Sequence, residues 1–186
     1  MATERIRVVK TILGIDPGSR ITGFGVIKSN GLKHSYVTSG CIRVSPTKDQ
    51  AIKLQQIYDG LREVIFRFQP DEAVVEQIFF HKNPNSALKL GQARGVALLA
   101  PALHQISVAE YSARQVKQSV VGYGAASKEQ VQMMIQTILK LSGTPQADAA
   151  DALAVAICHA QTQGLLSEAY ISKPKLVQAE TNLFGI

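Results

Sequence analysis

The pattern of apolar positions near the N-terminus predicts three short strands. The first covers residues 12–15 and ends at Asp16, where an Asp-Pro-Gly turn begins. The second covers residues 23–27, and the third covers residues 36–44, which are rich in β-branched and aromatic side chains. Because short turns join these segments, we expect an antiparallel meander.

Helical spacing of apolar residues dominates the rest of the chain. The predicted helices cover residues 48–68, 85–104, 112–120, 127–141 and 146–162. Two further apolar runs, at residues 73–76 and 107–111, predict strands that follow helices, and such strands are typically parallel to a neighbour. The order of elements therefore predicts an α/β fold with a five-stranded mixed sheet flanked by helices.

The same pattern predicts the boundaries of the domain. We expect an N-terminal extension over residues 1–11, one domain over residues 12–163 and a mobile tail over residues 164–186, where periodicity is weak. Asn85 or Ser86 is the expected cap of the second helix. Pro101 is expected to kink that helix or to end it early.

The composition is typical of a globular protein with a basic surface. Of the 186 residues, 46% are hydrophobic and 18% are charged, which argues against wholesale disorder. No apolar run approaches the roughly 20 residues of a membrane span, and no secretory signal is evident, so we expect a cytoplasmic protein. Cys41 and Cys158 lack metal-type spacing and are expected to be free, buried thiols. The net charge of +6 favours an anionic partner.

Four acidic residues suggest a metal site. Asp16 and Glu76 each end a short apolar run, and parallel strands would bring both to one edge of the sheet. Asp148 and Asp151 are three apart, so they lie on one face of a largely apolar helix. Individually, Asp16 could simply form a turn and Asp148 could stabilise a helix N-terminus. Converging like charges, however, favour a bound cation.

The type of donor indicates which cation and which chemistry. Carboxylate oxygens suit Mg²⁺ or Mn²⁺ rather than Zn²⁺, and the four histidines show no zinc-type spacing. His159 is better explained by a structural role. Carboxylates that hold two divalent ions can hydrolyse phosphodiesters, because one ion generates the attacking hydroxide and the other stabilises the leaving oxygen. The sequence therefore predicts a metal-dependent hydrolase with a basic surface suited to a phosphate backbone.

Five segments between residues 12 and 161 resemble the RuvC family of Holliday-junction resolvases. They are GIDPGSRITGFGVI, VVEQIFF, NSALKLGQARG, ARQVKQ and PQADAADALAVAI. The resemblance implies a ribonuclease-H-like fold, a homodimer, and symmetric nicking of a four-way DNA junction that leaves 5′-phosphate and 3′-hydroxyl ends. It also implies two Mg²⁺ ions per subunit during catalysis, a dimer helix over residues 85–100, and the branch-migration proteins RuvA and RuvB as partners.

The resemblance also assigns roles to single residues. The family's metal-binding acids fall on Asp16, Glu76, Asp148 and Asp151, and its two functional lysines fall on Lys117 and Lys128. Its junction-probing aromatic falls on Phe79, which could stack on an unpaired base. Further basic residues that could extend a DNA track are Arg20, Lys82, Lys89 and Arg94.

Three other functions fit parts of the sequence. The acids alone are compatible with a ribonuclease H that acts on RNA–DNA hybrids. A non-catalytic junction-binding module would keep the basic surface and use the acids structurally. An actin-like ATPase could use the Asp-Pro-Gly turn as a phosphate loop, but the single-domain length and the lack of a second phosphate loop argue against it.

Overall fold

In the part of the chain that the structure describes, five strands form one mixed sheet. The computed structural model describes residues 8–46, 49–77 and 83–172, with side chains as far as residue 165. The strands are β1 (Lys10–Asp16), β2 (Ile21–Ser29), β3 (His34–Arg43), β4 (Glu72–Gln77) and β5 (Ser107–Ser112). Their order across the sheet is β3-β2-β1-β4-β5, antiparallel from β3 to β1 and parallel from β1 to β5. The predicted meander and the predicted mixed sheet are both confirmed.

Five helices flank the described part of this sheet. They are α1 (Gln50–Phe68), α2 (Pro84–Leu103), α3 (Ala113–Val121), α4 (Lys128–Leu139) and α5 (Ala147–Ser172). Ser112 and Ser127 cap α3 and α4 in capping boxes with Gln115 and Gln130. Asn83 caps α2 ahead of Pro84, so the predicted cap at Asn85 or Ser86 is wrong.

The sheet separates two hydrophobic cores. Successive strand residues point to opposite faces, so Ile12 packs on the side of α3, α4 and α5, whereas Leu13 packs on the side of α1 and α2. The first core includes Leu153 of α5, and the second includes Leu61 of α1. The last helix is therefore buried against one face of the sheet, and most of its residues from 149 to 160 are inaccessible to solvent.

Glycines in β1 and β2 let α5 lie unusually close to the sheet. A Cβ atom on Gly14 would lie 2.0 Å from the backbone oxygen of Ala152, and one on Gly23 would lie 2.0 Å from that of Asp148. Gly25, which pairs with Gly14, faces Leu153 in the same way. Any side chain at these positions would push the helix outward, so the glycines fix where the acidic N-terminal turns of α5 meet β1.

Several boundaries differ from those predicted. α5 continues to Ser172, so the helix predicted over residues 146–162 ends ten residues too early. β1 begins at Lys10, two residues before the strand predicted from residue 12. α2 passes through Pro101 and ends at Leu103, because a proline near the last turn removes only one late hydrogen bond.

Two further expectations concern cysteines and membranes. Cys158 is a buried free thiol as expected, but Cys41 is only partly buried, so the prediction that it is buried is wrong. Cys41 lies on β3, an edge strand of the sheet in the described part of the chain. In the described part of the chain, no helix is both long and apolar enough to cross a membrane.

Candidate active site

Asp16 and Glu76 lie side by side at one edge of the sheet. In the parallel β1–β4 pair, Ile15 is opposite Val75, so each acid occupies the next position after a buried, paired residue. Both residues are only partly buried because their strands end there. The carboxyl ends of parallel strands are the usual place for a ligand in an open α/β sheet.

The N-terminal turns of α5 bring Asp148 and Asp151 to the same edge. Asp16 pairs across the sheet with Gly23, and the missing Cβ of Gly23 makes room for the backbone of Asp148. Asp148 and Asp151, three residues apart on α5, are both partly exposed. The structure thus brings together all four acids that the sequence singled out.

Burial and the neighbouring acids raise the pKa values of Asp16 and Glu76. Burial, reinforced by the negative charges of Glu76, Asp151 and Asp148, raises the pKa of Asp16 to about 8. Burial and the charge of Asp151 also raise the pKa of Glu76, although the hydrogen bond with Asp16 and the two nearby lysines oppose this effect. The opposite effects of the shared hydrogen bond, which raises the pKa of Asp16 and lowers that of Glu76, correspond to an Asp16 carboxyl that donates to the Glu76 carboxylate.

Two lysines complete the site. The Lys128 ammonium donates to Asp151 Oδ2 at 2.8 Å, and this hydrogen bond raises the pKa of Lys128. Lys117 and Lys128 line a cavity of about 180 Å³ together with Glu76 and Asp151. Val116, Val131 and Ala154 form part of its wall, so the cavity is polar on one side and apolar on the other. Both lysines that the resemblance assigned therefore lie at the acidic site.

The residues present fit a hard divalent cation. The four carboxylates offer only oxygen, the donor that Mg²⁺ and Mn²⁺ prefer. A cation would also relieve the repulsion that holds a proton on Asp16. Within residues 8–46, 49–77 and 83–172, no group of three or more His, Cys, Asp or Glu side chains is arranged as a ready-made metal site. An ion held by these carboxylates would take the place of the Asp16 proton as their positive partner.

His159 lies away from the acids, although it is on the same helix. This side chain is only 3% exposed, and its Nε2 lies 2.9 Å from Glu72 Oε2 at the start of β4. Its Nδ1 lies 3.1 Å from the Tyr111 hydroxyl. Burial alone would raise the pKa of Glu72, but hydrogen bonds from Lys10 and His159 outweigh burial and lower it. These contacts fit the structural role predicted for His159.

The remaining predicted DNA contacts are spread over the surface. Arg20, just after β1, and Lys89, on α2, are exposed. Arg94 is about 30% exposed, and its Nη2 lies 2.5 Å from Glu110 Oε2. Phe79 and Lys82 lie outside the described residues.

Sequence reasoning missed the glycines that support the site. Gly14, Gly23 and Gly25 alternate along two paired strands, on the face that meets α5. That alternation was a usable signal, since glycine inside a strand often marks close approach of another backbone. The Glu72–His159–Tyr111 network had no such signal, because its members are far apart in the sequence and only the fold brings them together.

A mixed sheet with this strand order, with carboxylates at the ends of β1 and β4 and on the last helix, defines a ribonuclease-H-like nuclease. The family model described as "Crossover junction endodeoxyribonuclease RuvC" matches residues 12–159. The chain belongs to this RuvC family, whose members are metal-dependent nucleases.

Individual relatives support this family assignment. The chain is 62% identical over 155 residues to crossover junction endodeoxyribonuclease RuvC of Tolumonas auensis, a match that covers 83% of this chain and 89% of the relative. It is 57% identical over 157 residues to the protein of the same name from Legionella pneumophila strain Lens, which covers 84% and 90% respectively.

Solved structures of related proteins have the same fold. T. thermophilus RuvC in complex with a Holliday junction substrate matches with a TM-score of 0.79 and 34% identity, over 85% of this chain and 97% of that one. The yeast mitochondrial Holliday junction resolvase Ydc2 has a TM-score of 0.61 at 15% identity, over 90% of this chain and 87% of that one, and shows the shared fold alone.

Proposed function

We propose that this chain is a Holliday-junction resolvase that cuts two strands of a four-way DNA junction by paired symmetric nicks. The convergence of Asp16, Glu76, Asp148 and Asp151 beside Lys117 and Lys128 is the observation that carries the proposal. The relatives at 57% and 62% identity carry the name crossover junction endodeoxyribonuclease, and the T. thermophilus homologue was solved with a Holliday junction. The reaction is hydrolysis of a phosphodiester to 5′-phosphate and 3′-hydroxyl ends.

The four carboxylates would hold Mg²⁺, for which Mn²⁺ can substitute, with two ions per subunit during catalysis. Such ions supply an activated water and stabilise the leaving oxygen. Asp16 and Glu76 sit on adjacent strand ends and form the rigid half of the site. Asp148 and Asp151 approach from α5, whose position is fixed by its contact with Gly23. The acidic edge thus orients a phosphate without large backbone movement.

The lysines supply positive charge where the phosphate needs it. Lys117 and Lys128 line the cavity beside Glu76 and Asp151, so their ammonium groups can reach a phosphate held at the acids. In the protein without DNA, Lys128 neutralises part of the acidic cluster through Asp151. With cations on the carboxylates, this ammonium group would be free to stabilise the charge that develops on the phosphate.

Symmetric cutting calls for two sites related by a two-fold axis, so we propose a homodimer. α2, which includes the predicted dimer helix, presents Leu88, Leu99 and Leu103 with more than half of each side chain exposed. Phe66 of α1 is 80% exposed. Large apolar side chains exposed together on neighbouring helices are typical of a protein–protein interface.

Further contacts are proposed from the family resemblance. Phe79 would stack on an unpaired base at the junction, and Arg20, Lys82, Lys89 and Arg94 would contact the DNA backbone. For Arg94 this requires exchange of its present partner, Glu110. RuvA and RuvB are the proposed partners in branch migration. Because its substrate would be chromosomal DNA, we propose that the protein acts in the cytoplasm.

Cleavage of synthetic substrates tests the proposal. In Mg²⁺, the protein should cut a mobile four-way junction at paired positions and leave an RNA–DNA hybrid of equal length intact. Asp16→Asn should bind the junction without cutting it. Asp59→Asn is the matched control, because Asp59 is a partly exposed acid of α1, on the other face of the sheet. Preference for the hybrid would indicate a ribonuclease H, and normal cutting by Asp16→Asn would indicate that the acids are structural.

A further inference from the structure

A long groove runs beside β3, outside the carboxylate site. It has a volume of about 1020 Å³ and is lined by residues 32–36 and Ser39 on one side and by residues 138–145 on the other. We call it the β3–α4 groove, because the second wall is the end of α4 and the loop that leads to α5. None of the residues described so far as catalytic or metal-binding lines it.

The groove has the charge and the functional groups that suit a phosphate backbone. Lys33 and Lys140 line it and are exposed, and its described lining residues include no Asp or Glu. Burial lowers the pKa of His34, which also lines the groove, and so disfavours its charged form. Hydroxyl groups of the lining serines, of Thr144 and of Tyr36 add hydrogen-bonding groups of the kind that contact phosphates.

One end of the groove lies near Asp148, at the edge of the acidic site. Ser39 pairs with Gly25 on β2, two residues along from the Gly23 that makes room for Asp148. On the opposite wall, Pro145 is three residues ahead of Asp148. Arg43 Nη2 donates to Gln146 Oε1 at 3.0 Å and ties this loop to the end of β3. A strand that leaves the active site along β3 would therefore enter the groove directly.

The length of the groove suits a few nucleotides. From His34 to Ser39 there are six residues, and the five steps between them span about 16 Å at ~3.3 Å per strand residue. At ~3.4 Å per nucleotide of one DNA strand, that distance corresponds to about five nucleotides. Lys33 stands near one end of this path, and Lys140 stands on the opposite wall.

We propose that the β3–α4 groove binds the backbone of one arm of the DNA substrate, over about five nucleotides beyond the scissile phosphate. The inference rests on the proposed function for the identity of the substrate. It assigns Lys33 and Lys140 to phosphate contacts, which position the arm and carry no sequence preference of their own.

Two substitutions remove the charge and leave the fold intact. Lys140 caps α4 in the left-handed conformation with φ 52°, so Lys140→Gly places the favoured residue there. Lys33→Gln keeps the backbone N–H that donates to Asn30 Oδ1. Lys53→Gln with Arg67→Gln is the matched control, because it removes two positive charges from α1 on the opposite face of the sheet.

The measurement is DNA affinity as a function of salt, without divalent ions, for a four-way junction and for a plain duplex. Loss of two phosphate contacts should lower the slope of log affinity against log salt by about 1.8 and weaken binding about tenfold near 0.1 M salt. The control pair should match the wild type. Hydroxyl-radical footprinting should show about five protected nucleotides next to the cleavage point, and the groove variant should lose that protection.

The outcomes separate the groove from the proposed function. If the salt dependence of binding and the footprint are unchanged in the groove variant, the groove does not bind DNA, even if the wild type cuts junctions. If the groove variant has a lower salt slope but the wild type cuts no junction, the groove is a DNA-binding surface and the proposed resolvase function is wrong. No DNA binding by the wild type would reject both.

Discussion

Lys128 Nζ lies 2.8 Å from Asp151 Oδ2, so one of the carboxylates proposed to bind metal already forms an ion pair with a lysine. The Lys128 side chain is about half exposed, and the Asp151 side chain is 28% exposed. The same ammonium group is therefore a competitor of the metal in the free protein and a proposed phosphate contact in the complex. These two roles predict opposite effects of one substitution.

We expect Lys128→Gln to bind Mn²⁺ more tightly and to cut more slowly. An exposed ion pair contributes about 0.2–1 kcal/mol, so its removal should strengthen metal binding by up to about fivefold. Single-turnover cleavage should fall, because a positive group near the phosphate is lost. Calorimetric titration with Mn²⁺ and quenched-flow cleavage measure the two effects. Lys53→Gln on α1 serves as control, and weaker metal binding by Lys128→Gln would contradict the competition.

The pKa of Asp16 predicts how stability depends on pH. A carboxyl whose pKa is raised in the folded state stabilises the protein below the unfolded pKa of 3.8, and this stabilisation is lost as the pH rises towards about 8. The metal-free protein should therefore lose stability across this window, with a slope approaching about 1.4 kcal/mol per pH unit. Glu76, whose pKa is also raised, acts in the same direction.

Chemical denaturation at several pH values measures this slope. Saturating Mg²⁺ should flatten it, because a cation replaces the proton as the partner of the carboxylates. Asp16→Asn should flatten it without metal, since the amide does not ionise, whereas Asp59→Asn should keep it. A metal-free protein that gains stability from pH 5 to pH 8 would show that the acids do not repel one another.

The sequence predicted the elements better than the contacts between them. Alternating and helical periodicity located all five strands, and the acids at the ends of β1 and β4 followed from the strand pattern. The hydrogen bonds of His159 to Glu72 and Tyr111 join α5 to two strands, and no local pattern signals such a contact. The end of α5 was misplaced because weak apolar periodicity after residue 163 does not stop a helix.

Gly23→Ala tests how α5 is positioned. The new Cβ would lie 2.0 Å from the backbone oxygen of Asp148, so α5 would have to move away from β2. We expect a loss of about 1–3 kcal/mol in the free energy of unfolding, as for other overpacked sites. Metal affinity and cleavage should fall as well, because Asp148 and Asp151 move with the helix. Urea denaturation and Mn²⁺ titration measure both.

Gly143→Ala is the matched control for this substitution. Gly143 lies in the loop before α5, and a Cβ there would have no heavy atom within 4 Å. Its free energy of unfolding should stay within about 0.5 kcal/mol of the wild type. If Gly23→Ala behaved like Gly143→Ala, close packing of α5 on β2 would not be what holds the acids in place.

Leu99→Asp tests the proposed dimer. Leu99 is 52% exposed on α2, and a charge there should weaken association of two apolar helix faces while leaving the buried core intact. Sedimentation should show a shift towards monomer, and cleavage should shift from paired cuts to single nicks, because each active site then meets the junction alone. Met133→Asp is the control, since Met133 is 67% exposed on α4, away from α1 and α2. Paired cuts by a monomeric Leu99→Asp would mean that one subunit makes both incisions, and a fully dimeric variant would place the interface elsewhere.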